Sequence, residues 1–303
     1  MCHVSCLALL SYMSTHRSAK SAAQNEYHRL MARPGPHRNA RRAVVPVLVL
    51  AAAACSNSPS PPAHPATAHA TPGPVTESFV RNRFTVTLSA EALEKASADG
   101  TNLPQVIAHS LSRINALLPG PATAIAVSYV NSGLIPQTGT SGVTSPGTGK
   151  IAIAFGQTPR SSLSTIMKLW LPRTFSHEVN HSVRALAGPG LGVTLLEDII
   201  SEGISSAFDA AAFPGPPDPW DRAISRSQEC ALWKKAEPLL GHAKLYDEWM
   251  FGGPGIPHWT AFTIGYDIVT DYHRHHPDTS WPAITSTSAD AILAGSHYQP
   301  CSP

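Results

Sequence analysis

Phe84, Val86 and Leu88 alternate with Thr85 and Thr87, a period of two that predicts a half-buried strand. The period then lengthens to that of a helix, from Ala90 to Ala98 and again from Pro104 to Leu118. Two apolar runs rich in β-branched residues, TAIAVSYV at 123–130 and KIAIAF at 150–155, predict further strands. The stretch 138–149 between them is rich in Gly, Thr and Ser and reads as a long hairpin loop. From Ser161 onward the pattern is almost wholly helical. In TFSHEVNHSVRAL (174–186), Phe175, Val179, Val183 and Leu186 form an apolar stripe between helix breakers at Pro172 and at Gly188-Pro189-Gly190. In the next segment, TLLEDIISEGISSAF, Leu196, Ile200, Ile204 and Phe208 recur every fourth residue. Strands first and helices after, with no internal repeat, predict a single α+β domain over 79–303.

Charge changes the picture at the N-terminus. Residues 1–54 carry seven Lys/Arg (Arg17, Lys20, Arg29, Arg33, Arg38, Arg41, Arg42) against one acid, Glu26. Removing them from the whole chain's 22 and 20 leaves 15 basic and 19 acidic residues, a net charge of −4. A weakly acidic body has no electrostatic footprint for nucleic acid, and that partner is excluded. The segment from Met31 has a basic stretch ending at Arg41-Arg42, a short apolar run from Ala43 to Ala54, and then Cys55. The run is shorter than the ~20 residues a membrane span needs and fits an export signal. With Ala52-Ala53-Ala54 ahead of the cysteine, it resembles a bacterial lipoprotein signal, in which the cysteine is lipidated and becomes the new N-terminus. It departs from that pattern at Ala52, where Leu or Val is preferred.

The expected organisation is then 1–30 as an over-long start, 31–54 as signal peptide, and 55–78 as lipidated Cys55 plus a tether. The tether, rich in Pro, Ala, Ser and Thr, has too little apolar surface to fold. The expected location is extracytoplasmic, anchored to the membrane at Cys55, with a plain cleaved signal and secretion as the alternative. With Cys2, Cys6 and Cys55 set aside, Cys230 and Cys301 remain. In an oxidising compartment they form a disulfide tying the C-terminus to a mid-chain helix, the alternative being two unpaired thiols.

HEVNH is His177-Glu178-Val179-Asn180-His181. Four helical residues turn ~400°, which places both histidines on one face, one turn apart, as a shared zinc ion at ~2.0–2.1 Å requires. Glu178 flanks that face, where a general base would stand. A composition with 15 His among 303 residues produces such a motif by chance in about one chain in forty, so a third ligand is needed to support the reading. The second helix offers Glu197, Asp198 and Glu202. Asp198, one turn before Glu202, is placed to orient a ligating imidazole. Glu197 is a rival ligand or a solvent-facing acid. HRHH at 273–276 reads as a solvated helix end, and Trp170 and Trp259 as either core or cleft residues.

Glu202-Gly203 resembles the Glu-Gly pair that supplies the third zinc ligand in gluzincin aminopeptidases, and the 20 residues between His181 and Glu202 are close to that group's spacing. SHEVNH, LLEDIISEGISSAF, WTAFTIGYDIVTDYHRHHP and ADAILAGSHY together resemble a bacterial family of predicted Zn-dependent proteases over most of residues 80–300. Ser205 departs from that family's usual small residue, such as Ala. The resemblance implies a zincin-like metallopeptidase domain with one Zn2+ per chain, held by His177, His181 and Glu202. It also implies a peptide or protein substrate, and an oxyanion donor on the later helices: Tyr266 first, His258 second. Tyr266, between Ile264 and Ile268, equally reads as a packing residue. The expectation is an extracytoplasmic, lipid-anchored zinc metallopeptidase with Glu178 as general base. The alternative is a zinc-binding lipoprotein without catalysis.

Overall fold

The computed structural model describes residues 75–301. The over-long start, the signal, Cys55 and the tether up to residue 74 lie outside the described residues. Five strands form one sheet in the order β1-β2-β3-β5-β4: Val75–Arg81, Phe84–Ser89, Thr123–Tyr129, Thr140–Thr144 (β4) and Ile151–Phe155 (β5). The inner pairs β2–β3 and β3–β5 are parallel, and the edge strands β1 and β4 pair antiparallel. Two helices, α1 (Ala90–Ala98) and α2 (Leu103–Leu117), connect β2 to β3. The predicted alternation is real: Phe84, Val86 and Leu88 are buried, as are Ile125, Val127, Ile151, Ile153 and Phe155.

Two boundaries differ from the sequence expectation. Val75 to Ser78, assigned to the tether, belong to β1, which gains regular pairing against β2 after a register shift near Val75. The stretch 138–149 is not all loop. Thr140–Thr144 pairs residue by residue with β5, and the turn signals Ser145-Pro146-Gly147 carry the reversal.

The remainder is helical, so the fold is mixed α+β, a small sheet followed by a mostly helical part. The site helix α3 (Leu171–Ala187) continues out of a turn at Leu163–Thr165 and a π-helical turn at Ile166–Trp170. Pro172 therefore does not break the helix. It sits in the first turn of α3, where the wider π turn ahead of it relieves the demand for its missing N–H. Then come α4 (Leu195–Ala212), α5 (Arg226–Ala236), α6 (Tyr246–Phe251), α7 (Thr260–His275), α8 (Trp281–Ser286) and α9 (Ala289–Ser296). Among the described residues no helix is long and apolar enough to cross a membrane.

The core has two parts. Phe175, Val179 and Val183 of α3 join the sheet and α2 in one, whereas Leu186, the fourth residue of the expected stripe, is 39% exposed. Leu196, Ile200 and Ile204 of α4 pack with Ile264, Ile268 and Val269 of α7 in the other. Helix α4 contributes to both, since Phe208 and Ala212 belong to the first. A capping box at Thr194–Glu197 starts it, which accounts for Glu197: its carboxylate accepts from the Val193 and Thr194 amides. Where α4 crosses α7 the backbones touch, because a Cβ on Gly203 would collide with the Gly265 carbonyl. Cys230 of α5 and Cys301 form a disulfide.

Candidate metal centre

Helices α3 and α4 run antiparallel with their polar faces together. The residues early in α3 meet the end of α4, and the later ones meet its middle. His177 Nε2, His181 Nε2 and Glu202 Oε2 converge at the centre, 3.1 Å apart for the two imidazoles and 3.2 Å for each imidazole to the carboxylate. All three residues are buried. Three electron-pair donors at these separations match the ~3.3 Å edge of a tetrahedron with ~2.0–2.1 Å bonds, leaving its fourth corner free. The donor set therefore fits a divalent zinc-like ion. It is the one cluster of this kind among the described residues.

The charges around the cluster favour a cation. Burial alone would push the His177 pKa down, but the Asp209 and Glu202 carboxylates outweigh it and hold the pKa well above the usual histidine value. Burial alone would raise Glu202, and the two imidazoles outweigh it, holding the carboxyl far below the usual range. The site is thus built to balance one positive centre.

Each imidazole is fixed from behind through Nδ1. For His177 the partner is Asp209 Oδ2 at 3.4 Å, and neither atom has a conventional hydrogen bond elsewhere. Asp209 in turn faces Arg173 Nη2 at 3.3 Å, and the same nitrogen reaches Asp218 Oδ2 at 3.1 Å. Asp218 and Asp221 come from the loop after α4, and the Asp218 amide donates to Asp221 at 2.9 Å. Burial and the neighbouring Asp209 push Asp218 up to about 10 and Asp221 up to about 7. For His181, Nδ1 is within hydrogen-bond distance of Ser205 Oγ at 3.2 Å and Ser201 Oγ at 3.3 Å. Ser205, the residue read as a departure from the family's usual small residue, thus touches a candidate ligand, and it also lies 3.4 Å from Asn180 Oδ1.

Asp198, the expected orienter, is buried one turn before Glu202, with Gly192 packed against its carboxylate. Asp209 takes the place beside His177, because the antiparallel packing turns the first ligand of α3 towards the end of α4. A signal for it was present: Asp209 lies seven residues after Glu202, on the same helical face.

Glu178 is held from the sheet side. Thr144 Oγ1 donates to Glu178 Oε2 at 2.6 Å, and a Cβ on Gly142 would come within 2.5 Å of Glu178 Oε1. Strand β4 therefore carries no side chain where the glutamate needs room. A further contact had no sequence signal. Tyr246, in the unpatterned stretch AKLYDEWMF, donates its hydroxyl to Glu202 Oε1 at 2.9 Å. Burial and Glu202 push its pKa well up, which keeps the phenol a donor. The structure places Tyr266 under the Arg222 guanidinium, 5.2 Å from the ring centroid, and His258 on the surface beside Trp259 and Phe251. His273, His275 and His276 lie at the end of α7, the first stacked on Trp281 and the second against His297.

Two histidines one helical turn apart, a glutamate from the next helix and a second glutamate alongside define an α+β protein with a His2Glu metal-type centre. The sequence profile of the family described as "Predicted Zn-dependent protease (DUF2268)" matches residues 104–294, which contain every one of these groups. The chain belongs to that family. No curated protein matches the chain.

Proposed function

We propose that the protein is a zinc metallopeptidase with His177, His181 and Glu202 as ligands and Glu178 as general base. The convergence of the three ligand atoms within 3.2 Å of one another, with Glu178 beside them, carries this reading. Bound zinc supplies Lewis-acid polarisation of a carbonyl and lowers the pKa of water towards ~7. Glu178, oriented by Thr144, takes the proton of the attacking water and delivers it to the leaving amine. Tyr246, whose hydroxyl rests on Glu202, swings that proton to the developing oxyanion, a role the sequence suggested for Tyr266 or His258. Strand β4 is the terminal strand of the sheet and runs beside Glu178, where an extended peptide would lie. We place the enzyme outside the cytoplasm, anchored through Cys55. The export-signal pattern and the Cys230–Cys301 disulfide support that location.

The test is metal content and casein cleavage by the full chain. About one zinc per chain is expected, lost in Glu202→Ala. In Glu178→Gln the zinc stays and cleavage falls by about 10²–10⁴-fold. A zinc-loaded parent that cuts nothing, with Glu178→Gln indistinguishable from it, would leave a metal-binding protein without catalysis.

A further inference from the structure

A series of ring contacts runs from His177 to Glu202. Trp220 lies edge-on to His177 with centroids 6.2 Å apart, and Trp259 lies 6.1 Å from Trp220. His258 follows at 4.4 Å, Phe251 at 6.2 Å and Tyr246 at 5.8 Å, and the Tyr246 hydroxyl ends on Glu202. Two of the five rings, Trp220 and Tyr246, touch the candidate ligands, and Trp259, His258 and Phe251 link them; they come from three segments, the loop after α4, helix α6 and the loop before α7.

Most of these rings lie outside the core, although Tyr246 also packs against it. Trp220, Trp259 and Tyr246 are half-buried and His258 is exposed. Phe251 is 43% exposed, the only aromatic among the exposed large apolar side chains of the described residues. Trp259 also holds a left-handed backbone, φ 65°, at the start of α7, with no side-chain cap. That conformation is costly for a bulky residue and persists where its surroundings impose it, most often at functional sites. Trp220 is pinned as well, its Nε1–H donating to Ser206 Oγ at 3.1 Å. Partly exposed rings beside the candidate centre can form a wall for another flat or apolar group, since ring pairs gain from offset and edge-on contact.

We propose that this arc is the specificity wall of the centre, and that it selects amides flanked by an aromatic or large aliphatic side chain. The proposal deepens the peptidase reading and rests on it for the identity of the ligand as a peptide.

The test uses the zinc-loaded full chain and two probes, phenylalanine hydroxamate and alanine hydroxamate, with affinities measured by calorimetry. The phenylalanine probe should bind at least about tenfold more tightly, the range that apolar pockets achieve between large and small side chains. Phe251→Ala should reduce that ratio to about threefold or less, and Phe251→Trp should restore it. Val80→Ala, on the opposite edge strand, should leave it as in the parent. Equal affinities, no binding of either probe, or a ratio unmoved by Phe251→Ala would overturn the wall. A peptide-library digest separates the two claims. Selective hydroxamate binding without any cleavage keeps the wall and removes the peptidase reading. Cleavage with no preference for large apolar neighbours, alongside equal hydroxamate affinities, does the reverse.

Discussion

The two histidines of the centre lie one turn apart on the same helix, yet their backing differs in kind. Behind His177 is a buried layer of charged side chains, Asp209, Arg173, Asp218 and Asp221. Behind His181 are two hydroxyls, Ser201 and Ser205. A neutral partner fixes the tautomer and the ring plane at little electrostatic cost. A carboxylate does the same and adds basicity to the ring, but it must itself be held in low dielectric. The ionic layer is therefore the larger structural commitment, and the hydroxyl pair the more replaceable one.

The largest expected effect is at Asp209. Asp209→Ala removes the carboxylate shared by His177 and Arg173, and should cost about 3–5 kcal/mol of stability by urea unfolding. Zinc affinity, read by chelator competition, should fall by about 10–100-fold. A loss no greater than that of Ser205→Ala would erase the distinction between the two sides. Reduction of Cys230–Cys301, remote from both, should cost about 2–4 kcal/mol and leave zinc affinity where it was. A parallel loss of zinc affinity would mean that the ligands depend on the whole helical part rather than on their own backing. Ser205→Ala should cost about 1 kcal/mol and less than tenfold in zinc affinity, as expected for a single hydrogen bond to a neutral group.

A different kind of effect is a slope with pH. Asp218 is raised from 3.8 to about 10, so the folded state holds a proton that the unfolded chain releases. Its contribution is full below the unfolded value and is lost as pH rises towards the folded one. Asp221 acts in the same direction up to about 7. Stability should decline between about pH 5 and pH 9, and Asp218→Asn, which is neutral throughout, should flatten the decline. An unchanged slope in the variant would show that Asp218 is ionised in the fold.

The sequence made legible what periodicity and motif spacing encode. The strands at 84–88, 123–130 and 150–155 and the helices carrying His177 and Glu202 follow from apolar spacing, because their burial is one-sided. Strand β4 was not legible. Its TSGVT is small and polar because Gly142 and Thr144 must lie against Glu178, and its strand state comes from pairing with β5. Asp209 and Asp198 are nearly equivalent on the helical wheel, and only the antiparallel packing of α3 on α4 separates them. Tyr246 reaches Glu202 from 44 residues away along an unpatterned stretch, a contact that no local pattern encodes.

Glu202 and Gly203 carry two different instructions side by side. The first is chemical: an oxygen for the proposed metal. The second is metric: a bare α-carbon that lets α4 settle against Gly265 of α7 and so sets the height at which that oxygen stands. A mutational scan would score both positions as equally intolerant. Added acetate would tell them apart, because a small carboxylate can refill the space left by Glu202→Gly, whereas no solute can restore the spacing lost in Gly203→Ala.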